Sequence, residues 1–427
     1  MSTITPQPSI KVGESRAKYK GKTGAQILHE MLIGPHKVEV MFGYPGGAIL
    51  PVFDQLYKTP AKFILNRHEQ ACGHCADGYA RVSGKTGVAI VTSGPAATNT
   101  VTPLATALMD SIPIIVFSGQ VATKMIGNDA FQEADVTGIT RPCTKWNYLV
   151  KDVREIPRVV NEAFLVANSG RPGPVLIDLP KDITSMACPE EVDDTPREHI
   201  LKRRKLSLTG GTAKQIEAAA ELINRAEKPI LYVGGGAILS GASDAVRKVA
   251  AKGNIPVTTT LLGMGSFDET DPLALHMLGM HGSAYANYAI QECDCLVSVG
   301  ARFDDRVTGN VASFAPHAKI IHIDIDPSSI GKTVDVDVPV VGDARVSLEA
   351  LLPHIESRPR KAWHEQIGGW KKKYPFKYFD DSPRASRSMS SKRCTARPRA
   401  RRSSPPASVS TRCGRRSSTV GSSRVSS

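Results

Sequence analysis

The sequence predicts an α/β protein built as two successive parallel-sheet domains followed by a basic tail. Three observations carry that reading. The chain has 427 residues, more than one ordinary domain holds. Short apolar runs of the kind that form buried parallel strands, such as 88–91 and 112–117, alternate with segments of helical spacing. A charged, turn-rich stretch at 189–211, containing Lys202-Arg-Arg-Lys205 and Gly210-Gly211, separates two such alternations.

The first alternation opens with helical spacing over 24–32 and a strand over 38–42 that runs into the turn Gly43-Tyr-Pro-Gly-Gly47. A strand over 63–65 and a helix over 70–82 follow, with Gly84 just past the helix end, where a left-handed residue closes a helix. Strands over 88–91, 112–117 and 175–179 complete it. The second alternation reads as a helix over 213–226, a strand over 229–233, a helix over 240–252, strands over 295–299 and 319–325, and a closing helix over 343–354.

The net charge of +13 belongs almost wholly to the tail: twelve Arg/Lys and no Asp/Glu lie in 383–427. Residues 1–382 are therefore close to neutral, and a nucleic-acid partner is not expected for the body of the chain. No apolar run approaches the roughly 20 residues of a membrane helix, and no secretory pattern opens the chain, so a cytoplasmic protein is expected. Eight scattered cysteines in a large chain are expected to be free thiols. Cys72-Gly-His-Cys75 lacks a second ligand pair and reads as two thiols on a helix rather than a metal site.

Two regions carry chemistry. In the second alternation, Gly234-Gly-Gly236 follows a strand, where glycines let backbone N–H groups approach a phosphate or simply make a tight turn. Leu278-Gly-Met-His281-Gly, Gly300-Ala-Arg-Phe-Asp-Asp-Arg-Val307 and Ile323-Asp-Ile-Asp326 also lie at strand ends, where open α/β sheets bind ligands. Arg302 and Arg306 suit phosphates and Asp305 suits a sugar or ribityl hydroxyl, unless they form a surface turn with a local ion pair. Together these favour a dinucleotide-type site. In the first alternation, Glu69 opens a helix after a strand. It either stabilises that helix end or is a carboxyl that shares a proton with a ligand nitrogen.

Read together, Gly43-Tyr-Pro-Gly-Gly-Ala48, Asn66-Arg-His-Glu69-Gln, Asp77-Gly-Tyr-Ala-Arg81, Thr92-Ser-Gly-Pro95, Gly127-Asn-Asp-Ala-Phe-Gln-Glu133, Ser169-Gly-Arg-Pro-Gly-Pro-Val175 and Asp178-Leu-Pro-Lys-Asp182 occur in the order of the thiamine-diphosphate enzymes. Gly119-Gln-Val and Ala301-Arg-Phe-Asp-Asp-Arg-Val-Thr-Gly309 make the chain resemble the acetolactate synthase (acetohydroxyacid synthase) catalytic subunits over residues 21–380. The resemblance implies a pyrimidine-binding domain for thiamine diphosphate over 21–188, a linker over 189–211, a Rossmann-like FAD-binding central domain over 212–355 and a linker over 356–382. It implies decarboxylation of pyruvate and condensation with a second 2-keto acid, pyruvate or 2-ketobutyrate, the first common step of branched-chain amino acid biosynthesis. Glu69 is then the partner of the aminopyrimidine ring, and Gln132, Phe131 and Lys181 are active-site positions. Gly46 and Gly47 match the loop beside that cofactor. Arg171, Gly234, Gly235, Gly236, Thr260, Leu261, Met280, His281, Arg302, Asp305, Arg306, Val307, Asp324, Ile325 and Asp343 match positions that hold FAD. A homodimer or higher oligomer and a regulatory small subunit are implied as well. The alternatives are a pyruvate oxidase-like enzyme and a non-catalytic FAD-binding remnant.

The family has Gly where this chain has Ala96, so a methyl group near the cofactor would be strained if that backbone needs a positive φ. It tends to have Pro at Ala122, a herbicide-binding position in the family. Its third domain, which holds the diphosphate through Mg2+, has no counterpart motif here. A codon set for 403–414, read one nucleotide earlier, spells Ile-Val-Thr-Thr-Gly-Val-Gly-Gln-His-Gln-Met-Trp, which resembles the start of that domain. The expectation is a frameshift near 381–384, a disordered tail over 383–427 without evolved function, and a chain without turnover as written.

Overall fold

The computed structural model describes residues 19–57, 59–206 and 209–376. The tail over 383–427, with Cys394 and Cys413, lies outside the described residues. The first sheet has six parallel strands: β1 (Val40–Gly43), β2 (Lys62–Leu65), β3 (Gly87–Val91), β4 (Ile114–Gln120), β5 (Trp146–Leu149) and β6 (Val175–Pro180). Their order is β2-β1-β3-β4-β6-β5. β3, β4 and β6 are buried along their whole length, which is why they read as apolar runs. Helix Gly24–Ile33 starts at a capping box between Thr23 and Gln26 and buries Ile27, Leu28, Met31 and Leu32. Helix Ile156–Asn168 has Pro157 in its first turn and buries Val159, Val160 and Phe164 in the same core. Each such aliphatic side chain contributes about 1.5–3 kcal/mol by leaving water.

The second sheet comprises β7 (Pro229–Val233), β8 (Val257–Thr259), β9 (Ala274–Met277), β10 (Cys295–Val299), β11 (Lys319–Asp324) and β12 (Val338–Val341). The order is β12-β11-β10-β7-β8-β9, again all parallel. The chain winds outward from β7 through β8 to β9, crosses back through helix Ala284–Glu292, and winds outward again from β10 to β12. Each sheet therefore has a point where adjacent strands send their connections in opposite directions. In the first sheet it lies between β1 and β3, and in the second between β7 and β10. Such points open a crevice at the carboxyl ends of the strands.

Several elements depart from expectation. β5, β8, β9 and β12 were not predicted, because they are three or four residues long and two of them carry mixed burial. The expected linker at 189–211 contains helix Glu198–Leu206. The expected linker at 356–382 contains helix Lys361–Lys373, which buries Trp363 and Ile367 and donates from Trp363 Nε1 to the Pro229 carbonyl at 3.3 Å. Just before that helix, Arg360 is buried with a φ of 39°. Its guanidinium donates to the carbonyls of Ala226 (3.2 Å), Ile223 (2.8 Å) and Gly253, the ends of helices Ala213–Arg225 and Ser243–Gly253. A cation there satisfies the orphan carbonyls of two helix termini at once. The expected helix over 343–354 divides into Ala344–Leu351 and a tighter turn at Leu352–His354. All six described cysteines are free, and among the described residues no helix is long and apolar enough to cross a membrane.

Candidate active site

At the first switch point the chain leaves β1 and turns through residues 44–48. Gly46 lies flat against Thr92, so close that a Cβ there would sit 2.4 Å from the Thr92 methyl, whereas Gly47 faces open space. The turn after β3 reaches Gly94, whose φ of 55° suits glycine. A Cβ at Gly94 would meet the Gln132 carbonyl oxygen at 2.2 Å, so this glycine is where the loop carrying Phe131 and Gln132 comes down on the sheet edge. Ala96, by contrast, lies in the short helix Pro95–Thr98 and its φ is not positive, so its methyl group costs no backbone strain.

β2 feeds helix Glu69–Ser83, which His68 caps by accepting from the Gln70 N–H at 3.1 Å. With the cap supplied by His68, the Glu69 carboxylate turns to Asn99, whose Nδ2 donates to it at 2.9 Å. That bond joins the end of β2 to the turn after β3, directly across the crevice. Two buried polar atoms at the same place, Thr92 Oγ1 and Asn66 Oδ1, have no hydrogen-bond partner. Such groups are costly unless a ligand or water pairs them. The glycine cradle, the fixed carboxylate and the two orphaned polar atoms together fit a polar aromatic cofactor lying between β1 and β3.

The loop after β4 is closed on itself. The Glu133 carboxylate accepts from the N–H groups of Gly127 and Ala130, which hold its pKa below the ordinary value. Phe131 stands 88% exposed, and Gln132 is exposed with a φ of 58°. Lys181 is exposed at the start of helix Lys181–Ser185, where β6 ends, and its neighbour Asp182 accepts from the Thr123 N–H at 3.0 Å and from its hydroxyl. Phe131, Gln132, Lys181, Glu69, Gly46 and Gly47 thus share the carboxyl edge of one sheet.

At the second switch point the turns after β7 and β10 are packed backbone to backbone. Gly236 N–H donates to the Gly300 carbonyl at 3.0 Å, and Gly234 N–H to that of Val299 at 2.9 Å. A Cβ on Gly234 would lie 2.3 Å from the Gly300 oxygen, and one on Gly300, whose φ is 56°, would lie 2.7 Å from Gly236 Cα. Close packing of the two turns thus already requires Gly234, Gly236 and Gly300, while a Cβ on Gly235 would lie 3.0 Å from the Leu262 Cβ. Thr260 caps the turn Leu261–Gly263 by accepting from the Gly263 N–H, and leaves Leu261 exposed. The Met280 N–H donates to the Arg306 carbonyl at 2.9 Å, which brings exposed Met280 and His281 beside Arg306 and half-buried Val307. Arg302, Asp305 and Arg306 are exposed, and the local cap is made by Asp304 rather than Asp305. Arg306 Nε lies 3.9 Å from Asp305, a local ion pair, and an exposed leucine and methionine beside Arg302 and Arg306 suit a ligand with both ring and phosphate parts.

Asp324 ends β11 buried, and burial pushes its carboxyl up to about 6 even though it accepts from the Asp326 N–H. Half-buried Ile325 follows it. Asp343 caps helix Ala344–Leu351 by accepting from the Val346 N–H at 3.0 Å, so that carboxylate is already engaged. Arg171 comes from the first sheet's side of the molecule. It donates to Ser111 Oγ at 2.8 Å and to the Leu108 carbonyl at 3.0 Å, and its Nη1 lies 3.6 Å from Asp326 beside the second sheet. The partners Asn99 and Ser111 were missed from sequence, whereas Asp326 stood in the quoted segment Ile323-Asp-Ile-Asp326 without a partner assigned. Nothing in the spacing ties Asn99 to a glutamate 30 residues away.

Residues 22–139 match the family described as thiamine pyrophosphate enzyme, N-terminal TPP binding domain, and residues 216–351 match its central domain. The chain belongs to the thiamine pyrophosphate enzyme family. It is 48% identical, over 90% of its length, to the acetolactate synthase catalytic subunit, mitochondrial, of Aspergillus candidus, and covers 58% of that protein. With the acetolactate synthase catalytic subunit, mitochondrial, of Saccharomyces cerevisiae it shares 49% identity over 86% of this chain and 55% of that one. With the probable acetolactate synthase large subunit of Methanocaldococcus jannaschii it shares 51% over 81% of this chain and 59% of that one. The chain therefore spans under two thirds of the length of these relatives. As a thiamine pyrophosphate family member, it bears out the resemblance read from the motifs.

Proposed function

We propose that this chain provides the pyrimidine-side half of a thiamine-diphosphate site and an FAD site of an acetolactate synthase large subunit, condensing pyruvate with pyruvate or 2-ketobutyrate. One observation carries the reading: Glu69 is held across the β1/β3 crevice by Asn99, in a chain of this family. Thiamine diphosphate supplies the electron sink for loss of carbon dioxide. Glu69 would exchange a proton with a ring nitrogen of that cofactor, and Asn99 holds the carboxylate across the crevice. Gly46 and Gly47 let the ring approach the backbone. Phe131, Gln132 and Lys181 line the approach of the second keto acid. The second sheet's strand order supports a Rossmann-like unit for FAD, with Arg302 and Arg306 toward its phosphates and Leu261, Met280, Arg171 and Asp324 around it. In this reading the Mg2+ ligands belong to the family's third domain. A cytoplasmic location, an oligomer and a regulatory subunit belong to the same reading, as does the frameshift near 381–384.

The test uses the gene as it stands and with the frame restored near codon 381, each supplied with pyruvate, thiamine diphosphate, Mg2+ and FAD. Acetolactate is expected from the restored enzyme, and Glu69→Gln is expected to lower its formation by about 10²–10⁴-fold. Acetyl phosphate with peroxide as products would establish the pyruvate oxidase reading instead. Unchanged turnover in Glu69→Gln would remove Glu69 from the chemistry.

A further inference from the structure

Asp178 lies in the middle of β6, 1% exposed, in register with Ser118 of β4 and Leu149 of β5. Its Oδ1 accepts from Ser118 Oγ at 2.7 Å and its Oδ2 from Gln120 Nε2 at 2.9 Å. Gln120 is buried too. Its Nε2 also donates to the Ala134 carbonyl at 3.0 Å, and its Oε1 accepts from the Val121 N–H at 2.9 Å. Every polar atom of that amide is used.

A buried carboxylate without a cation is expensive, and an apolar pair in its place would be cheaper. What the carboxylate provides is direction. An isolated glutamine amide can turn over, exchanging its oxygen and nitrogen. Asp178 Oδ2 accepting on one side, with the Val121 N–H on the other, leaves Gln120 a single orientation, in which Nε2 also points at the Ala134 carbonyl. Ala134 closes the loop that Glu133 ties to Gly127 and Ala130, and that loop rests on Gly94 through the Gln132 backbone. The chain of contact runs from the sheet centre to Phe131 and Gln132 without a gap.

We propose that Asp178 and Gln120 are positioning residues that fix the 127–135 loop, and with it Phe131 and Gln132, on the carboxyl edge of the first sheet. Their role in setting the keto-acid approach rests on the proposed function; the fixing of the loop does not.

Hydrogen–deuterium exchange on the full chain separates the two. In Gln120→Leu and Asp178→Leu, amides of 127–135 are expected to exchange at least tenfold faster, with β3 and β6 unchanged. Asp178→Asn still offers an oxygen to Gln120 and an N–H to Ser118, so its exchange is expected within threefold of the parent. Ser118→Ala, a milder change that keeps the Gln120 bond, is expected to behave likewise. Unchanged exchange in Gln120→Leu would overturn the proposal. So would Asp178→Asn as fast as Asp178→Leu, or acceleration of all segments together. None of these readouts needs catalysis, so failure of the acetolactate assay with loop protection as expected would strike the proposed function alone.

Discussion

Asp178 also writes itself into the pH dependence of stability. Burial lifts its carboxyl from 3.8 to about 7, with Ser118 and Gln120 opposing and Asp135 adding to the rise. The folded chain therefore keeps a proton that the unfolded chain releases between about pH 4 and about 7. That contribution is present at low pH and is lost as pH climbs through about 7. Urea midpoints of the parent minus those of Asp178→Asn should fall across this window and level off above it. Ala122 makes a second residue-level prediction. Its φ of −56° and ψ of 144° are proline geometry, so Ala122→Pro should raise stability by about 0.4–1 kcal/mol, read by thermal unfolding. The site was partly legible at this scale. Glu69 drew attention as an acid opening a helix, and the structure gives the helix cap to His68 and Glu69 to Asn99. Asp178 was visible as an acid inside an apolar run, but what it binds depends on β4, 58 residues earlier, which spacing does not encode.

Paired turns rather than single motifs make the crevices. Gly300 and Gly236 touch through bare backbone, and Gly94 meets the Gln132 carbonyl in the same way. Gly300→Ala should cost about 2 kcal/mol or more, from the left-handed conformation and the overlap together, and should weaken flavin retention measured by absorbance after desalting. Strands β3 and β10 were legible because each is buried end to end. β5 was not, because Trp-Asn-Tyr-Leu is half-buried throughout, and β8 is three residues held mainly by its neighbours. Helix Lys361–Lys373 hid behind its run of lysines and glycines; its buried apolar anchors are Trp363 and Ile367, with half-buried Trp370 packed against the same core.

Across the whole molecule the two sheets repeat one solution, a parallel sheet whose switch point gathers glycine turns, and Arg171 links their edges through Ser111 and Asp326. Arg360 does comparable work within the second sheet. Replacing it by Met would leave three carbonyls without their donor, and urea unfolding should register a loss of about 3 kcal/mol. The same guanidinium sets a schedule for synthesis. It lies 134 residues beyond Ala226, whose carbonyl it completes. Both helix ends thus wait, unfinished, until the ribosome has delivered residue 360, just ahead of the last described helix. A nascent chain released before that point would carry every strand of the second sheet and still lack the bolt that closes it.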